Sequence, residues 1–256
     1  MPGTTLFISD LHLCGERPAI TGLFLDFLRR ARKSDALYIL GDLFEYWIGD
    51  EAVEQREFLS IIRGLHELTT CGTPVFVMHG NRDFLMGDGF EHATGSHLLN
   101  DPARIDLYGT PTLLMHGDSL CTDDTEYMTF RAKVRSPAWQ QKFLAKTIVE
   151  RDRIVRDFRE ISKNSTAAKQ PEIMDVNQKA VESVMHEHRV QRLIHGHTHR
   201  PKEHAFNLDG QPARRMVLGD WYEHGSVLRV DAQGWQLESL PLAHAKAKDE
   251  KLKLSH

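Results

Sequence analysis

Thr4-Thr5-Leu6-Phe7-Ile8-Ser9-Asp10-Leu11-His12 opens as a short apolar strand and runs out on an acid and an imidazole two residues apart. The same arrangement recurs four times further along. Leu37-Tyr38-Ile39-Leu40 precedes Gly41-Asp42-Leu43-Phe44-Glu45, and Val75-Phe76-Val77-Met78 precedes Gly80-Asn81-Arg82-Asp83. Leu113-Leu114-Met115 precedes His116-Gly117-Asp118, and Leu193-Ile194 precedes Gly196-His197-Thr198-His199. In open α/β sheets, ligands gather beyond the carboxyl ends of the strands, so clusters this far apart in sequence can meet at one point. Carboxylate, imidazole and amide form a hard-to-borderline donor set that suits Mn, Fe or Zn rather than a thiolate site. The pattern points to a hydrolytic dinuclear metal centre.

The spacing around these strands sets the fold class. Apolar residues Ile20, Leu23, Phe24, Phe27, Leu28 and Ala31 recur at helical spacing across 19–32, and Phe58, Ile61, Ile62, Leu65 and Leu68 do so before Gly72-Thr73-Pro74. The resulting β-α-β-α-β order over the first 80 residues predicts right-handed crossovers and parallel central strands. Segments 104–108 and 112–115 read as an antiparallel hairpin joined at Gly109-Thr110-Pro111, and 214–219, 226–230 and 235–240 read as further strands. An α/β sandwich of mixed β-sheets flanked by helices is expected.

Between 122 and 186 the strand signals stop. Ser136-Pro137 is a helix start, with Ser as N-cap and Pro in the first turn. Phe143, Leu144, Ile148, Ile154, Val155, Phe158 and Ile161 share one face across 141–161. Lys142, Lys146, Arg153 and Arg156 share the other, with Arg151 intruding on the apolar arc. A second helix is expected over 174–188. Residues 123–186 are therefore expected to form a helical cap inserted into a core made of 1–122 and 187–242, with 243–256 a Lys-rich tail.

Composition sets outer limits. The 256 residues are long enough for one large core with an insertion, and 41% apolar with 27% charged residues is an ordinary globular balance. A net charge of -4 carries no nucleic-acid signature. Cys14, Cys71 and Cys121 are odd in number and lack C-x-x-C spacing, which argues against a disulfide framework and fits a reducing compartment. No basic region precedes an apolar stretch at the N-terminus, and no apolar run approaches the roughly 20 residues of a spanning helix. A protein that is soluble, or rests on a membrane surface, is expected.

Taken singly, Asp-x-His is a weak signal and G-D-x-x-E is compatible with an ordinary turn. Taken together, D-x-H, G-D-x-x-E, G-N-x-D, H-G and G-H-x-H in this order resemble the calcineurin-like metallophosphoesterases. The resemblance implies one metal held by Asp10, His12, Asp42 and His199. It implies a second held by Asp42, Asn81, His116 and His197, with Asp42 bridging. Many members of that family carry His after Gly-Asn, where it can protonate a leaving alkoxide. Arg82 stands there instead, and a guanidinium stays charged and cannot act as a general acid. A leaving group that needs no proton, such as a phosphate expelled from a pyrophosphate, is therefore expected. Arg82 would then grip a phosphate oxygen, the alternative being a structural pair with Asp83.

Residues 7–13, 39–45, 79–85, 115–124 and 194–201, with Tyr127, 130–134 and 173–177, look like the bacterial UDP-2,3-diacylglucosamine hydrolases. That resemblance implies attack by water at the α-phosphorus, release of UMP and 2,3-diacylglucosamine 1-phosphate, and two Mn²⁺ ions as cofactor. It implies Asn81, Arg82 and His197 as catalytic residues. Substrate contacts are implied at Asn81, Arg82, Asp124, Ser162, Thr166, Lys169 and His197, although the group commonly has Asn where Thr166 stands. Trp47, Phe84, Leu85, Phe130, Phe143, Ile154 and Phe158 are candidates for an acyl-chain chamber, with core packing as the alternative. A lipid substrate implies peripheral attachment to the cytoplasmic side of the bacterial inner membrane. The basic face of 142–156 is one candidate contact, and an ordinary solvated face the other. The competing functions are a phosphoesterase for soluble nucleotides and a binding module that has lost catalysis.

Overall fold

β1 (Thr5–Ile8), α1 (Pro18–Ala31), β2 (Ala36–Leu40), α2 (Leu59–Thr70) and β3 (Val75–Met78) follow one another as the spacing predicts. α3 (Asp88–Thr94), β4 (His97–Leu99), β5 (Ala103–Leu107), β6 (Thr110–Met115), α4 (Thr125–Val134), α5 (Pro137–Leu144), α6 (Ile148–Ala168) and α7 (Gln178–Glu187) come next. β7 (Arg192–His195), β8 (Lys202–Leu208), β9 (Gln211–Val217), β10 (His224–Asp231) and β11 (Gly234–Pro241) complete the chain order. This computed structural model describes residues 3–168 and 173–242, and of 161–168 it describes the helical backbone alone. The tail expected at 243–256 lies outside the described residues.

Two mixed sheets face each other. One has the order β11-β10-β1-β2-β3-β4, the other β5-β6-β7-β9-β8. β1, β2, β3 and β4 run parallel to one another, as do β6, β7 and β9, while β10, β5 and β8 pair antiparallel with β1, β6 and β9. Side chains alternate along each central strand and sort into different layers. Leu6, Ile8, Leu37, Ile39, Val75 and Val77 pack on the side of α1 and α2. Phe7, Leu40, Met78, Leu114 and Ile194 fill the space between the sheets. Leu113, Met115 and Leu193 pack with Val181 and Met185 of α7 on the far side. Because both faces are covered, these strands read as continuous apolar runs rather than as alternating ones.

Several expectations need correction. The hairpin turn is Tyr108-Gly109, with φ of 53° and 80°, as a type I′ turn requires. Pro111 therefore sits within β6. It is tolerated because β7 pairs with β6 only at Leu113–Met115, so no partner needs its missing N–H. The long helix expected over 141–161 is two helices that break after Leu144. Arg151 explains the break. Its guanidinium donates to the carbonyls of Leu144 (2.8 Å) and Ile48 (2.8 Å) and to both Glu51 oxygens, while its Nε donates to Lys146 O (2.9 Å). A residue that looked misplaced on an apolar arc thus satisfies the carbonyls at the end of α5. The helix expected from residue 174 starts at Gln178, because the Asn177 side chain accepts from Lys179 N and Ala180 N and caps it there. That helix packs beneath the second sheet, so it belongs with the sandwich layer and not with α4–α6.

Candidate metal centre

Every cluster read from the sequence falls just past the end of a parallel strand, three on the first sheet and two on the second, where the sheets adjoin. Eight non-glycine residues among those described have positive φ, and five of them are Asp10, His12, Asp42, His197 and His199. Left-handed backbone is unfavourable for residues with a Cβ and persists where the surroundings enforce it. Close contact between the loops is part of that enforcement. A Cβ on Gly41 would lie 2.5 Å from His116 Nδ1, and one on Gly196 would overlap Ser9 and Asp10. Only glycine lets these backbones approach so closely.

The seven predicted side chains converge. His199 Nε2 lies 3.3 Å from Asp10 Oδ1 and 3.4 Å from His12 Nε2. His116 Nε2 and His197 Nδ1 each lie 3.0 Å from Asn81 Oδ1. Asp42 sits between the two groups, its Oδ2 3.8 Å from His12 Nε2 and its Oδ1 3.9 Å from His116 Nε2. Donor atoms of Asp10, His12 and His199 lie within 4.8 Å of one another, as do those of Asp10, Asp42 and His116.

Around them lies a scaffold of hydrogen bonds. Ser9 Oγ and His197 N donate to Asp10 Oδ2, Arg82 N donates to Asp42 Oδ1, and His116 Nδ1 faces Leu40 O at 2.9 Å. Asp83 accepts from the backbone N–H groups of Gly80, Asp42, Leu43 and Phe44, which binds the second and third loops together. It is therefore committed to backbone, and the Arg82–Asp83 pair does not form. Arg82 instead approaches Glu45 at 3.7 Å, and Glu45 also meets His12 Nδ1 (3.5 Å) and Arg159 (3.0 Å).

The electrostatics are those of a site built for cations. Burial, aided by the Asp83 and Asp10 carboxylates, pushes Asp42 up to about 7. Burial opposes the charge on His116, yet Asp42, Asp118 and Asp10 raise it to about 9. Burial and the neighbouring His116 lower His197 to about 4, and burial holds His12 well below its usual value against the pull of Asp10. Asp10 is held low despite burial, by His199 foremost. Asp10 Oδ1 and His12 Nδ1 are buried with no hydrogen-bond partner among the described residues. Asp42 raised by burial among other carboxylates, beside the lowered imidazoles of His12 and His197, belongs to a donor set that fits divalent metal.

On one side of this cluster lies a cavity of about 390 Å³, walled by α4, α5 and α6. Of the residues expected to line an acyl chamber, Trp47, Phe84, Leu85, Phe130, Phe143 and Phe158 do so, and Ile154 packs against the core behind it. Asn81, Arg82 and Asp124 also line it. Asp124 has a structural task too, since it N-caps α4 through Tyr127 N. His197 is placed at the cluster, with the Tyr127 ring stacked 6.0 Å away. Lys169 and the side chains of Ser162 and Thr166 lie outside the described residues.

Sequence reasoning missed several neighbours. Asp118 is fully buried and anchors α4, accepting from Arg131 Nε (2.7 Å) and Tyr127 OH (2.7 Å). It was quoted with His116-Gly117 as part of a cluster but given no role of its own. Glu45 lay within a quoted motif, but Asp220 and Tyr222, which face His199, carry no local pattern.

The chain belongs to the calcineurin-like phosphoesterase family, whose model matches residues 3–201. Within that class it is 51% identical over 247 residues to the UDP-2,3-diacylglucosamine hydrolase of Xanthomonas campestris pv. campestris, covering 93% of this chain and all of that one. It is 50% identical over 242 residues to the UDP-2,3-diacylglucosamine hydrolase of Pseudomonas aeruginosa, with the same coverage. A dimetal phosphatase from Danio rerio shares the fold, with a TM-score of 0.50 and 14% identity over 95% of this chain and all of that one.

Proposed function

We propose that the chain hydrolyses the pyrophosphate bond of UDP-2,3-diacylglucosamine, giving UMP and 2,3-diacylglucosamine 1-phosphate, with water adding at the α-phosphorus. The observation that carries this reading is the apolar cavity that opens on Asn81 and Arg82. A diacylated sugar nucleotide needs a dry chamber beside its phosphates. A water-soluble nucleotide does not, and a module that had lost catalysis would have no reason to keep all seven donor side chains in register.

Two Mn²⁺ ions fit the donor set, one on Asp10, His12, Asp42 and His199, the other on Asp42, Asn81, His116 and His197. Asp42 would serve both ions, a role supported by its two oxygens facing opposite groups. Bound there, the ions would supply activated water at neutral pH and offset phosphoryl charge. The neutral amide of Asn81 contributes an oxygen without a third carboxylate charge. Leu40 O holds the second ring nitrogen of His116, which fixes its orientation, and Glu45 lies 3.5 Å from that of His12. Arg82 has a buried Nε with no hydrogen-bond partner among the described residues and faces the cavity, so it is placed to grip a phosphate oxygen. It cannot protonate the leaving group, and a departing sugar phosphate needs no proton.

Incubating metal-loaded protein with UDP-2,3-diacylglucosamine, and separately with a UDP-sugar lacking acyl chains, tests this. Mass spectrometry should show UMP and the lipid phosphate from the first alone, ¹⁸O from labelled water should enter UMP, and metal analysis should give two ions per chain. His116→Ala should lower kcat/KM more than about a hundredfold. Equal turnover of the two substrates would sink the lipid reading.

The membrane is the source of such a substrate. No helix among the described residues is long and apolar enough to cross a membrane. Attachment to the cytoplasmic face of the inner membrane would use the turn between α5 and α6. There Leu144, Ile148 and Val149 are exposed (Val149 at 79%), beside Lys142 and Lys146. Arg156 is paired with Asp152 and contributes less. Val149→Glu combined with Lys146→Glu should reduce sedimentation with anionic vesicles at least about fivefold. Unchanged sedimentation would remove this surface.

A further inference from the structure

The donor cluster and the cavity accommodate the phosphates and the lipid half of the proposed substrate. The nucleoside needs a surface of its own. The two halves diverge from the α-phosphorus, and the cavity approaches the centre through Asn81 and Arg82, on the side of α4–α6. His12 and His199 do not line it. Over those two imidazoles lies Tyr222, in the loop between β9 and β10. Its ring is 14° from the plane of His12 with centroids 5.4 Å apart, and its centroid is 5.6 Å from that of His199. Although packed against both, Tyr222 remains 47% exposed.

The ring is held in place. The Arg17 guanidinium lies 4.6 Å from the ring centroid, and it donates to the carbonyls of Leu11, His12 and Trp221. Tyr222 N donates to Asp220 Oδ1 at 3.0 Å, while Asp220 Oδ2 lies 3.6 Å from His199 Nδ1. The loop is thus registered to the donor side chains themselves.

We infer that Tyr222, backed by Arg17, is the nucleoside subsite, where a pyrimidine base packs against the exposed part of the ring. Stacking on an aromatic ring suits any flat base, while a rigid ledge adjacent to the centre sets how far the base lies from the phosphorus. The inference rests on the hydrolysis proposed above.

Tyr222→Ala and Tyr222→Phe, both metal-loaded, test it. The readouts are calorimetric affinity for UMP, KM for UDP-2,3-diacylglucosamine, inhibition by 2,3-diacylglucosamine 1-phosphate, and metal content. Tyr222→Ala should weaken UMP and raise KM about tenfold, with lipid-phosphate inhibition and metal content at wild-type levels. Tyr222→Phe should stay within about twofold of wild type. Unchanged UMP affinity in Tyr222→Ala, equal weakening toward both products, or loss of metal would overturn the assignment. A wild-type protein that neither binds UMP nor turns over the substrate would instead overturn the hydrolysis, and the two failures are separable.

Discussion

Under the proposed reaction, Arg82 would grip a phosphate oxygen. A guanidinium presents a planar fork to a phosphate, whereas an ammonium presents a point charge, so Arg82→Lys keeps the charge and loses the fork. With metal content unchanged, kcat should fall about 10- to 100-fold. Steady-state kinetics beside metal analysis checks this, and full kcat in the variant would reduce Arg82 to a bystander. Asp101 poses a different question at the same scale. The residue is only partly buried, but both carboxylate oxygens are buried without a hydrogen-bond partner among the described residues. Burial, then the Asp118 carboxylate, pushes it up from 3.8 to about 6. Between those values the fold holds a proton that the unfolded chain has released. Stability is therefore lost as pH rises through that window, and the cost is complete above it. Asp101→Asn should gain about 2 kcal/mol over wild type at pH 8 and much less at pH 4.5. Urea unfolding at the two pH values reads the difference, and a pH-independent gain would contradict it.

Among the elements, those with both a clear period and a clear terminus were legible. α1 buries Ile20, Leu23, Phe24, Phe27, Leu28 and Ala31, the residues its spacing singled out. All seven candidate donors converge because strand ends in a parallel sheet are the one place to which topology brings them. Where the sequence misled, a side chain acted across the chain. Arg151 looked like a flaw in a long amphipathic face, and nothing local announced that Ile48 and Glu51 would meet it. β8 was overlooked because a solvent-facing edge strand mixes polar residues through its alternation, and β4 because it spans three residues. Asp220 and Tyr222 reach the site through the β9–β10 connection, which has no periodic pattern. Arg151→Ala should leave the carbonyls ending α5 without partners, at a cost of about 1–3 kcal/mol. Hydrogen exchange should speed up across 137–155 while the sandwich strands stay protected. Equal protection in the variant would show that the break has another cause.

For the molecule as a whole, the layered sandwich does more than carry loops. Asp10, Asp42 and Asn81 extend from one sheet, and His116, His197 and His199 from the other. Ions shared between these groups would act as rivets across the seam, joining two slabs that otherwise adhere through greasy side chains such as Phe7 and Ile194. Whatever prises the slabs apart, whether heat, denaturant or a badly chosen substitution in that middle layer, would empty the centre in the same motion. Catalytic output then becomes a gauge of how well the slabs are seated, and a variant crippled at a distance from the centre can be one whose halves have shifted.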